Sequence, residues 1–253
     1  MIELNKIYNE DCLEGMKRIP DKSVDMILCD LPYGTTACKW DTIIPFEPLW
    51  EQYERVIKDN GAIILTASQP FTSALVMSNP KLFKCEWIWH KNIPSGFALA
   101  KRQPMKAQES VLVFYRRQAT YNKQDTFSNI GDRKLGGSNG KRAKAKKGVY
   151  GNMKTVENEI KLKEVVSPRT VLDIKCVPRA KGTLHPTQKP VELMEYLIKT
   201  YTNENETVLD NVMGSGTTAI AAINTNRKYI GFELDETYFN LANERISSQL
   251  VTS

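Results

Sequence analysis

The residues that could do chemistry begin with Asp30-Leu31-Pro32-Tyr33, which directly follow the apolar run 24–29. A short apolar run bounded by turn-forming residues predicts a buried strand. Open α/β sheets bind their ligands at the carboxyl ends of the strands, so these residues would lie at a ligand-binding edge. The carboxylate of Asp30 could accept hydrogen bonds there, and Tyr33 could stack on a flat ligand. The same residue types are also common in ordinary turns.

A second constellation lies near the carboxyl end of the sequence. The apolar segment Thr207-Val208-Leu209-Asp210 leads into Met213-Gly214-Ser215-Gly216-Thr217-Thr218, and a later strand pattern at 228–233 ends in Glu233. A strand, a glycine turn, a helix, a strand and an acid form the arrangement of a nucleotide-type site. The glycines would let the backbone approach a ligand, and Glu233 could accept hydrogen bonds from two ribose hydroxyls. The glycines could also simply form a tight turn.

The glycine turn limits which nucleotide could bind. It lacks the full G-x-G-x-x-G pattern of dinucleotide enzymes, because Thr217, Thr218 and Ala219 follow Gly216. It also lacks the G-K-[ST] phosphate loop, so ATP is poorly supported. A nucleoside without a polyphosphate fits better, which suggests S-adenosylmethionine.

Together the two constellations resemble the amino-methyltransferases that act on DNA. Asp30-Leu31-Pro32-Tyr33 resembles their D-P-P-Y motif, and the segment 208–218 resembles their F-x-G-x-G cofactor motif. His185-Pro186-Thr187-Gln188-Lys189-Pro190 resembles the H-P-T-x-K-P segment that precedes the cofactor motif. The catalytic motif comes first and the cofactor motif last, which is the circularly permuted order of the beta class. Leu31 replaces the usual first Pro, and Met213 replaces the usual Phe.

The hydrophobic pattern predicts an α/β fold. A helix at 46–59, stopped by Asn60-Gly61, would connect the strand at 24–29 to a parallel strand at 62–67. The resemblance accordingly implies a mostly parallel, doubly wound sheet of the methyltransferase type. Residues 84–90 and 110–115 lack a crossover helix between them, so we expect an antiparallel hairpin at the edge of the sheet.

The change in composition along the chain predicts three regions. Residues 1–116 would form the catalytic half of the methyltransferase domain, and residues 182–253 would form its cofactor-binding half. Hydrophobic periodicity fades between them, so residues 117–181 are predicted to be a target-recognition insertion.

The resemblance also implies roles for individual residues. Asp30, Leu31, Pro32 and Tyr33 would be catalytic: the Asp30 carboxylate and the Leu31 carbonyl would accept the two hydrogens of a target amine. Tyr33 would stack on the target base. The cofactor would contact residues from both halves of the chain, namely Asp11, Cys12, Asp30, His185, Thr187, Gln188, Lys189, Asp210, Met213, Gly214, Ser215, Gly216, Thr217, Thr218 and Glu233.

The charge of the chain permits nucleic-acid binding without requiring it. Lys and Arg number 35 against 29 Asp and Glu, which gives a net charge of +6. Polar residues of the insertion and of the loop after residue 90 are predicted to face DNA, with the basic ones mostly at phosphates. The set is Lys91, Asn92, Lys101, Arg102, Lys141, Arg142 and Lys144. A run of charges is also typical of a solvated surface.

Several classes of protein are disfavoured by the composition. No apolar run approaches the roughly 20 residues of a membrane span, and the N-terminus lacks a signal-peptide core. Five cysteines without a C-x-x-C pair suit reduced thiols and a cytoplasmic location. With two His and no clustered Cys, we expect no metal site.

The function expected from the resemblance is site-specific methylation of adenine N6 in DNA. The nearest alternative is cytosine N4 methylation, although the first motif residue is then typically Ser rather than Asp30. Methylation of a cytosine ring carbon would need a nucleophilic Cys, usually after Pro, and no Pro-Cys pair occurs. An inactive nucleic-acid-binding module and an RNA substrate are further alternatives. A homodimer and a cognate restriction nuclease are expected by analogy with the family.

Overall fold

The structure, a computed structural model, describes residues 2–36, 38, 41–127, 165–177 and 188–252. The elements follow one another in the order β1 (Lys6–Tyr8), α1 (Cys12–Met16), β2 (Val24–Cys29), α2 (Phe46–Val56), β3 (Ile57–Ala67), α3 (Phe71–Ser78), β4 (Phe83–Ser95), β5 (Lys106–Phe114), β6 (Thr126–Phe127), β7 (Val165–Val166), β8 (Val171–Asp173), α4 (Val191–Tyr201), β9 (Thr207–Asp210), α5 (Thr217–Asn224), β10 (Lys228–Phe232) and α6 (Glu236–Thr252). No helix in these ranges has the length and apolarity that crossing a membrane requires.

The chain divides into two compact units. The larger unit contains residues 1–122 and 169–253, and the smaller unit contains residues 123–168. Within the smaller unit, β6 and β7 pair in antiparallel orientation. The predicted insertion, residues 117–181, is therefore wider than the smaller unit, and its role in target recognition stays a prediction.

The larger unit is built on an eight-stranded sheet in the order β1-β10-β9-β2-β3-β5-β4-β8. The five strands β1-β10-β9-β2-β3 are all parallel to one another. The next strand in the sheet, β5, runs antiparallel to both β3 and β4. Parallel strands need crossover connections, which here are largely helices. The predicted α/β class with a mostly parallel sheet is confirmed.

Both faces of the sheet are covered, as a doubly wound fold requires. Met26 and Leu28 of β2 belong to a core cluster that also takes residues from α4, α5 and α6. Ile27 and Cys29, which point the other way, belong to a cluster with residues from α1, α2 and α3. Every residue of β2 is buried for this reason, and the strand reads in the sequence as an apolar run interrupted only by Asp25.

The hairpin predicted at the sheet edge is present, but it does not end the sheet. β4 pairs antiparallel with β5, and the three-residue strand β8 then pairs parallel with the outer side of β4. The Trp89 indole nitrogen donates to the Ile174 carbonyl at 2.8 Å and fastens this short strand. An unpaired outer strand would leave its backbone groups open, and β8 covers part of that edge.

The strand β3 begins earlier than predicted. The helix α2 ends at Val56, and β3 runs from Ile57 through Asn60-Gly61, which therefore do not stop a helix. The pairing with β2 shifts register across this segment, so the extra residues form an irregularity. A side chain at Gly61 would place its Cβ 2.8 Å from the Asp25 carbonyl oxygen, which is why a glycine fits the bend.

A buried polar cluster ties the end of β2 to the end of β9. The Asn211 side-chain oxygen accepts hydrogen bonds from the Tyr53 hydroxyl at 2.5 Å and from the Cys29 thiol at 2.9 Å. The Asn211 amide nitrogen in turn donates to the Cys12 sulfur at 3.4 Å. Buried polar groups are stable when they are paired in this way. The cluster fixes the positions at which Asp30 and Asp210 leave their strands.

We expect Tyr53→Phe to lower the free energy of unfolding by about 1–2 kcal/mol, because it removes one donor from a buried acceptor. Urea denaturation measures this change. Tyr115→Phe is the matched control, since the Tyr115 hydroxyl makes an exposed hydrogen bond of 3.4 Å to Gln118. Equal effects of the two substitutions on the free energy of unfolding would show that the hydrogen bond in the buried cluster contributes no more than an exposed one.

Candidate active site

Two strand tips form the site. The parallel pairing of β2 with β9 aligns Met26 with Val208 and Ile27 with Leu209. Asp30, directly after β2, and Asp210, the last residue of β9, therefore lie at the same edge of the sheet. The catalytic motif and the glycine turn are brought together although most of the chain separates them in sequence.

The Asp30 carboxylate is held by three donors. Its Oδ1 accepts from the Tyr33 hydroxyl at 2.7 Å and from the Thr66 hydroxyl, and its Oδ2 accepts from the Lys189 ammonium at 2.6 Å. A carboxylate offers about four lone-pair sites, so Oδ2 keeps capacity for a further donor. The charge and orientation of Asp30 are set by its own motif, by β3 and by the segment before α4.

Lys189 continues into a chain of buried ion pairs. Its ammonium lies 3.3 Å from Glu109 Oε2, and Glu109 Oε1 lies 2.9 Å from the Lys91 ammonium. The side chains of Lys189 and Lys91 are each 7% exposed, so solvent screens these charges little. Burial alone would lower the pKa of Lys189, but attraction to Asp30, Tyr33 and Glu109 raises that pKa well above its ordinary value.

The Tyr33 side chain is fixed beside the acid. Its ring packs against Phe71 with 5.3 Å between the ring centroids, and the Lys189 ammonium lies 5.7 Å from the Tyr33 centroid. Burial and the neighbouring Asp30 carboxylate raise the pKa of Tyr33 well above its ordinary value. The phenol therefore remains a neutral donor to Asp30.

Asp41 closes the loop that follows the catalytic motif. Its carboxylate accepts hydrogen bonds from the backbone amides of Gly34 and Thr35, both at 2.9 Å, and of Thr36 at 2.7 Å. Burial would raise the pKa of Asp41, but the bonds from Thr36, Gly34 and Thr35 hold it below its ordinary value. Lys39 and Trp40 within this loop lie outside the described residues.

The glycine turn has the conformation that its sequence predicts. Gly214 and Gly216 have φ values of 53° and 79°, in the left-handed region that favours glycine. A Cβ at Gly216 would lie 3.2 Å from the Ala242 Cβ, whereas one at Gly214 would meet nothing within 4 Å. The backbone at Gly214 is therefore open to a ligand, and the turn at Gly216 packs closely on α6.

Arg245 holds the turn from behind. Its Nη1 donates to the Ser215 carbonyl at 3.0 Å and to the Thr217 hydroxyl at 3.1 Å. Ser215, Thr217 and Thr218 are buried, so their side chains support the turn. Met213 is buried as well, and a Cβ at Gly231 would lie 2.5 Å from the Met213 methyl group. Met213 thus fills the space beside the turn, and its contact with a cofactor stays a prediction.

Glu233 directly follows β10 and lies beside the glycine turn. One carboxylate oxygen accepts from the Gly214 amide at 2.7 Å and the other accepts from the Asp235 amide at 2.9 Å. Burial raises the pKa of Glu233, and these two bonds oppose the shift. Two of its lone-pair sites remain for a diol such as the ribose of a nucleoside.

Asp210 is the most deeply buried acid of the site, at 3% exposure. Burial raises its pKa from the ordinary 3.8 to about 7, the hydroxyl of Thr218 and the Val212 amide oppose this shift, and the Asp30 charge adds to it. The two strand-tip acids are therefore electrostatically coupled.

Two predicted cofactor residues have structural partners at the start of α1. The Asp11 carboxylate caps the helix, accepting from the amides of Leu13 at 2.9 Å and Glu14 at 3.2 Å. Cys12 is buried, and its sulfur accepts from Asn211 in the polar cluster. Contacts of either residue with a cofactor remain predictions.

The described residues cover part of the H-P-T-x-K-P segment and of the predicted DNA surface. His185 and Thr187 lie outside them, as do Lys141, Arg142 and Lys144. Gln188 is described, and its side-chain oxygen is buried without a hydrogen-bond partner among the described residues. That orphaned oxygen and the open face of Gly214 are compatible with a polar ligand at this edge.

The structure differs from the prediction for Lys91 and gives Lys189 a partner within the protein. Lys91 is buried against Glu109 and so is not placed to contact phosphates. Lys189 pairs with Asp30, and its contact with a cofactor stays a prediction. The Asn92 side chain accepts from the Cys176 amide at 2.7 Å and fastens the segment after β8. Lys101 and Arg102 are exposed, as a DNA surface requires.

Three residues of the site were not predicted from the sequence. Thr66 and Glu109 are polar residues within strands, and Arg245 is a charged residue within an amphipathic helix. Each looks like an ordinary solvent-facing residue in a single sequence. A signal existed only for Thr66, which interrupts an apolar run that is otherwise buried on both faces.

A carboxylate beside a glycine cradle that has no phosphate loop suits group transfer from a nucleoside cofactor, and the sheet is of the kind found in methyltransferases. Residues 24–244 match the family model described as DNA methylase, of the N6/N4 type. The chain therefore belongs to this family of DNA methylases.

Curated relatives agree with this membership. Type II methyltransferase M1.MboII of Moraxella bovis is 30% identical over 272 aligned positions, which cover 96% of this chain and 96% of the relative. DNA adenine methyltransferase YhdJ of Escherichia coli K12 is 29% identical over 261 positions, which cover 96% of this chain and 83% of YhdJ.

Solved structures share the fold. The crystal structure of the M1.HpyAVI–SAM complex is 26% identical, has a TM-score of 0.61, and is matched over 95% of this chain and 98% of its own. The cytosine-N4-specific PvuII DNA methyltransferase has a TM-score of 0.64 at 14% identity, over 96% of this chain and 90% of its own. The second likeness concerns the fold alone.

The raised pKa of Asp210 predicts how stability depends on pH without cofactor. The folded protein binds more protons than the unfolded chain between pH 3.8 and about 7, so stability falls as pH rises through that window. Asp210→Asn removes this dependence and should gain up to about 4 kcal/mol relative to the parent above pH 7. Thermal melts at pH 5 and pH 8 measure the difference.

Asp25→Asn serves as the contrasting control. Asp25 is also buried, but its carboxylate pairs with Lys58 at 2.6 Å and accepts from the Thr207 amide at 2.9 Å. We expect this variant to be destabilised at pH 8. An Asp210→Asn variant whose melting temperature follows pH as the parent does would contradict the assigned shift.

Proposed function

We propose that this chain transfers the methyl group of S-adenosylmethionine to the exocyclic N6 amine of an adenine in DNA. The observation that carries the proposal is the shared edge, where Asp30 and the open glycine turn at Gly214 leave adjacent parallel strands. Family membership as a DNA methylase supports the reaction and the substrate class.

The chemistry requires help at the amine, because its lone pair is delocalised into the adenine ring. In the proposal, Asp30 Oδ2 and the Leu31 carbonyl accept the two amine hydrogens, and the nitrogen moves toward tetrahedral geometry. The nitrogen lone pair then attacks the sulfonium methyl, the carbon–sulfur bond breaks, and its electron pair stays on sulfur. The methylated nitrogen carries the positive charge until it releases a proton. Catalysis would rest on position and electrostatics.

The target adenine must leave the duplex to reach Asp30. Flipping a base costs a few kcal/mol, and stacking on Tyr33 would return about 1–3 kcal/mol. Tyr33 suits this role because the Phe71 contact and the bond to Asp30 already fix its ring.

The cofactor would occupy the edge between the glycine turn and Asp30. Glu233 has lone pairs left for the ribose hydroxyls, and the backbone at Gly214 is open to the methionine part. Gln188, whose buried oxygen has no hydrogen-bond partner in the part of the chain that the structure describes, is a further candidate for the methionine amino group. S-adenosylmethionine supplies an activated methyl group, so these residues need only bind and orient it.

Two observations favour adenine over cytosine. Asp30 occupies the first motif position, where the N4 branch typically has Ser, and the similar protein YhdJ is named a DNA adenine methyltransferase. The fold is shared with a cytosine-N4-specific enzyme and does not distinguish the bases. An RNA substrate and an inactive binding module are the further outcomes that an assay separates.

A basic, partly apolar surface beyond β4 is the proposed DNA contact. A short 3₁₀ helix, Phe97–Leu99, joins the hairpin strands, and Phe97 is 82% exposed. Lys101 and Arg102 follow it and are exposed. Cations beside an exposed aromatic ring suit phosphate contact next to an unstacked base. The insertion at 117–181 would supply base-specific contacts.

Assembly and setting are proposed by analogy with the family. The M1.MboII relative is named a Type II methyltransferase, which makes a cognate restriction nuclease a reasonable partner of this chain. A homodimer and a cytoplasmic setting remain predictions from the sequence and the family.

The identity of the modified base tests the function. Expressed in a methylation-deficient host, the protein should leave N6-methyladenine in digested DNA, as measured by mass spectrometry of nucleosides. N4-methylcytosine would support the other branch, and neither product would support the binding-module alternative. Asp30→Ala should lower methyl transfer by at least about 10²-fold, because the acceptor of the amine hydrogens is lost.

The matched variant Asp30→Asn keeps the size of the side chain and guards against misfolding. We expect it to bind S-adenosylmethionine with nearly the parental Kd, measured by calorimetry, while methyl transfer is lost. Glu233→Gln should behave in the opposite way, with cofactor affinity weakened about tenfold and less effect at saturating cofactor. Parental activity of Asp30→Asn would refute the assigned role of Asp30.

Removing the charges of the proposed DNA surface should change the salt dependence of binding. A Lys101→Gln, Arg102→Gln double variant is expected to reduce the slope of log Kd against log salt by up to about 2. The control is the Lys6→Gln, Lys17→Gln double variant, on β1 and after α1, toward the other edge of the sheet. An unchanged slope in the first variant, or an equal change in both, would place the DNA elsewhere.

A further inference from the structure

The buried ion pairs beyond Asp30 have one unsatisfied atom. Glu109 Oε2 is buried and accepts no hydrogen bond among the described residues, yet it lies 3.3 Å from the Lys189 ammonium. Lys189 donates instead to Asp30 Oδ2 at 2.6 Å. Glu109 Oε2 is therefore a second acceptor beside the Lys189 ammonium, which is paired with Asp30.

The arrangement gives Lys189 two carboxylates within reach of one ammonium group. Glu109 Oε1 is fixed by Lys91 at 2.9 Å, so the Glu109 side chain is anchored while its Oε2 stays available. The four charges of Asp30, Lys189, Glu109 and Lys91 sum to zero. A small movement of the Lys189 ammonium toward Glu109 leaves every charge paired, which keeps the desolvation cost low.

We propose that Glu109 is a positioning residue for methyl transfer, which takes over Lys189 when the target amine donates to Asp30. The inference rests on the proposed function, since it assumes that Asp30 accepts the amine hydrogens. Before substrate binds, Lys189 neutralises the buried Asp30. As the amine arrives at Oδ2, Lys189 shifts its donation to Glu109 and leaves Asp30 a stronger acceptor.

The electrostatics of the reaction favour the shift. Methyl transfer moves a positive charge from the sulfonium onto the amine nitrogen beside Asp30. A cation held tightly on Asp30 opposes that charge, whereas one shared with Glu109 opposes it less. Asp30 is also faced by Tyr33 in its own motif, Thr66 on β3 and Asp210 on β9, and none of these can supply or remove a positive charge.

Glu109→Gln separates this role from a purely structural one. We expect kcat to fall roughly 10–100-fold with the Kd for S-adenosylmethionine nearly unchanged, because the ionised acceptor for Lys189 is gone. A structural role of the ion pairs predicts instead that the Kd for S-adenosylmethionine and the melting temperature change together with kcat.

Controls keep the outcome decisive. Glu54→Gln makes the same chemical change in the ion pair of Glu54 with Arg116, at 2.9 Å on the surface, and should leave kcat unchanged. Should Glu109→Gln fail to fold, Glu109→Asp keeps the charge but withdraws it from Lys189, and kcat should still fall.

The failure of this inference differs from failure of the function. Parental kcat in the Glu109 variants would overturn the role of Glu109 while the parent still methylates DNA. An inactive parent, or full activity of Asp30→Asn, would instead overturn the proposed reaction.

Discussion

The parallel pairing of β2 with β9 is the constraint on which the site depends. Parallel strands send their carboxyl ends to one edge, so two motifs that are distant in sequence deliver their acids side by side. The buried contacts of Asn211 with Cys29 and Tyr53 fix the relative height of the two tips. A slip of one residue would turn the side chains of a strand to the opposite face, and burial on both faces prevents it.

Two acids at one buried edge of the sheet repel each other when both are charged. The site gives these two acids unequal numbers and kinds of partners. Asp30 obtains a cation, Lys189, and two hydroxyl donors. Asp210 obtains a hydroxyl and an amide but no cation among the described residues, and its pKa rises to about 7. The acid that is proposed to accept the amine hydrogens is the one paired with a cation. Its neighbour serves the turn that follows β9.

The sequence predicted the strands that are buried on both faces of the sheet. β2 and β9 were placed to the residue, because short, largely apolar segments bounded by polar turns leave little choice. β3 was started too late, since Lys58, Asp59 and Asn60 read as the end of a helix although they form the irregular first part of the strand. β8 was missed because its three residues show no pattern, and its pairing with β4 depends on contacts from elsewhere in the chain.

The chemical groups of the site were predictable where a motif carries them. Asp30, Tyr33, the glycine turn and Glu233 each stand at a strand end in a spacing that has a mechanical reason. Glu109 and Lys91 have no such signal, because one polar residue in a strand looks like any other until the partner strand is known. Lys189 was assigned to the cofactor from its motif, and only the packing of the segment before α4 shows its bond to Asp30.

A carboxylate that polarises an amine must satisfy two opposed requirements. It must be ionised within a site that excludes water, which calls for a compensating cation, yet a cation bound too tightly weakens it as an acceptor. Lys189 meets the first requirement, and the carboxylate of Glu109 beside it offers a way to meet the second. Because Glu109 is carried on β5, the one strand of the sheet core that runs antiparallel, the hairpin contributes to the electrostatics of the site as well as to the edge of the sheet.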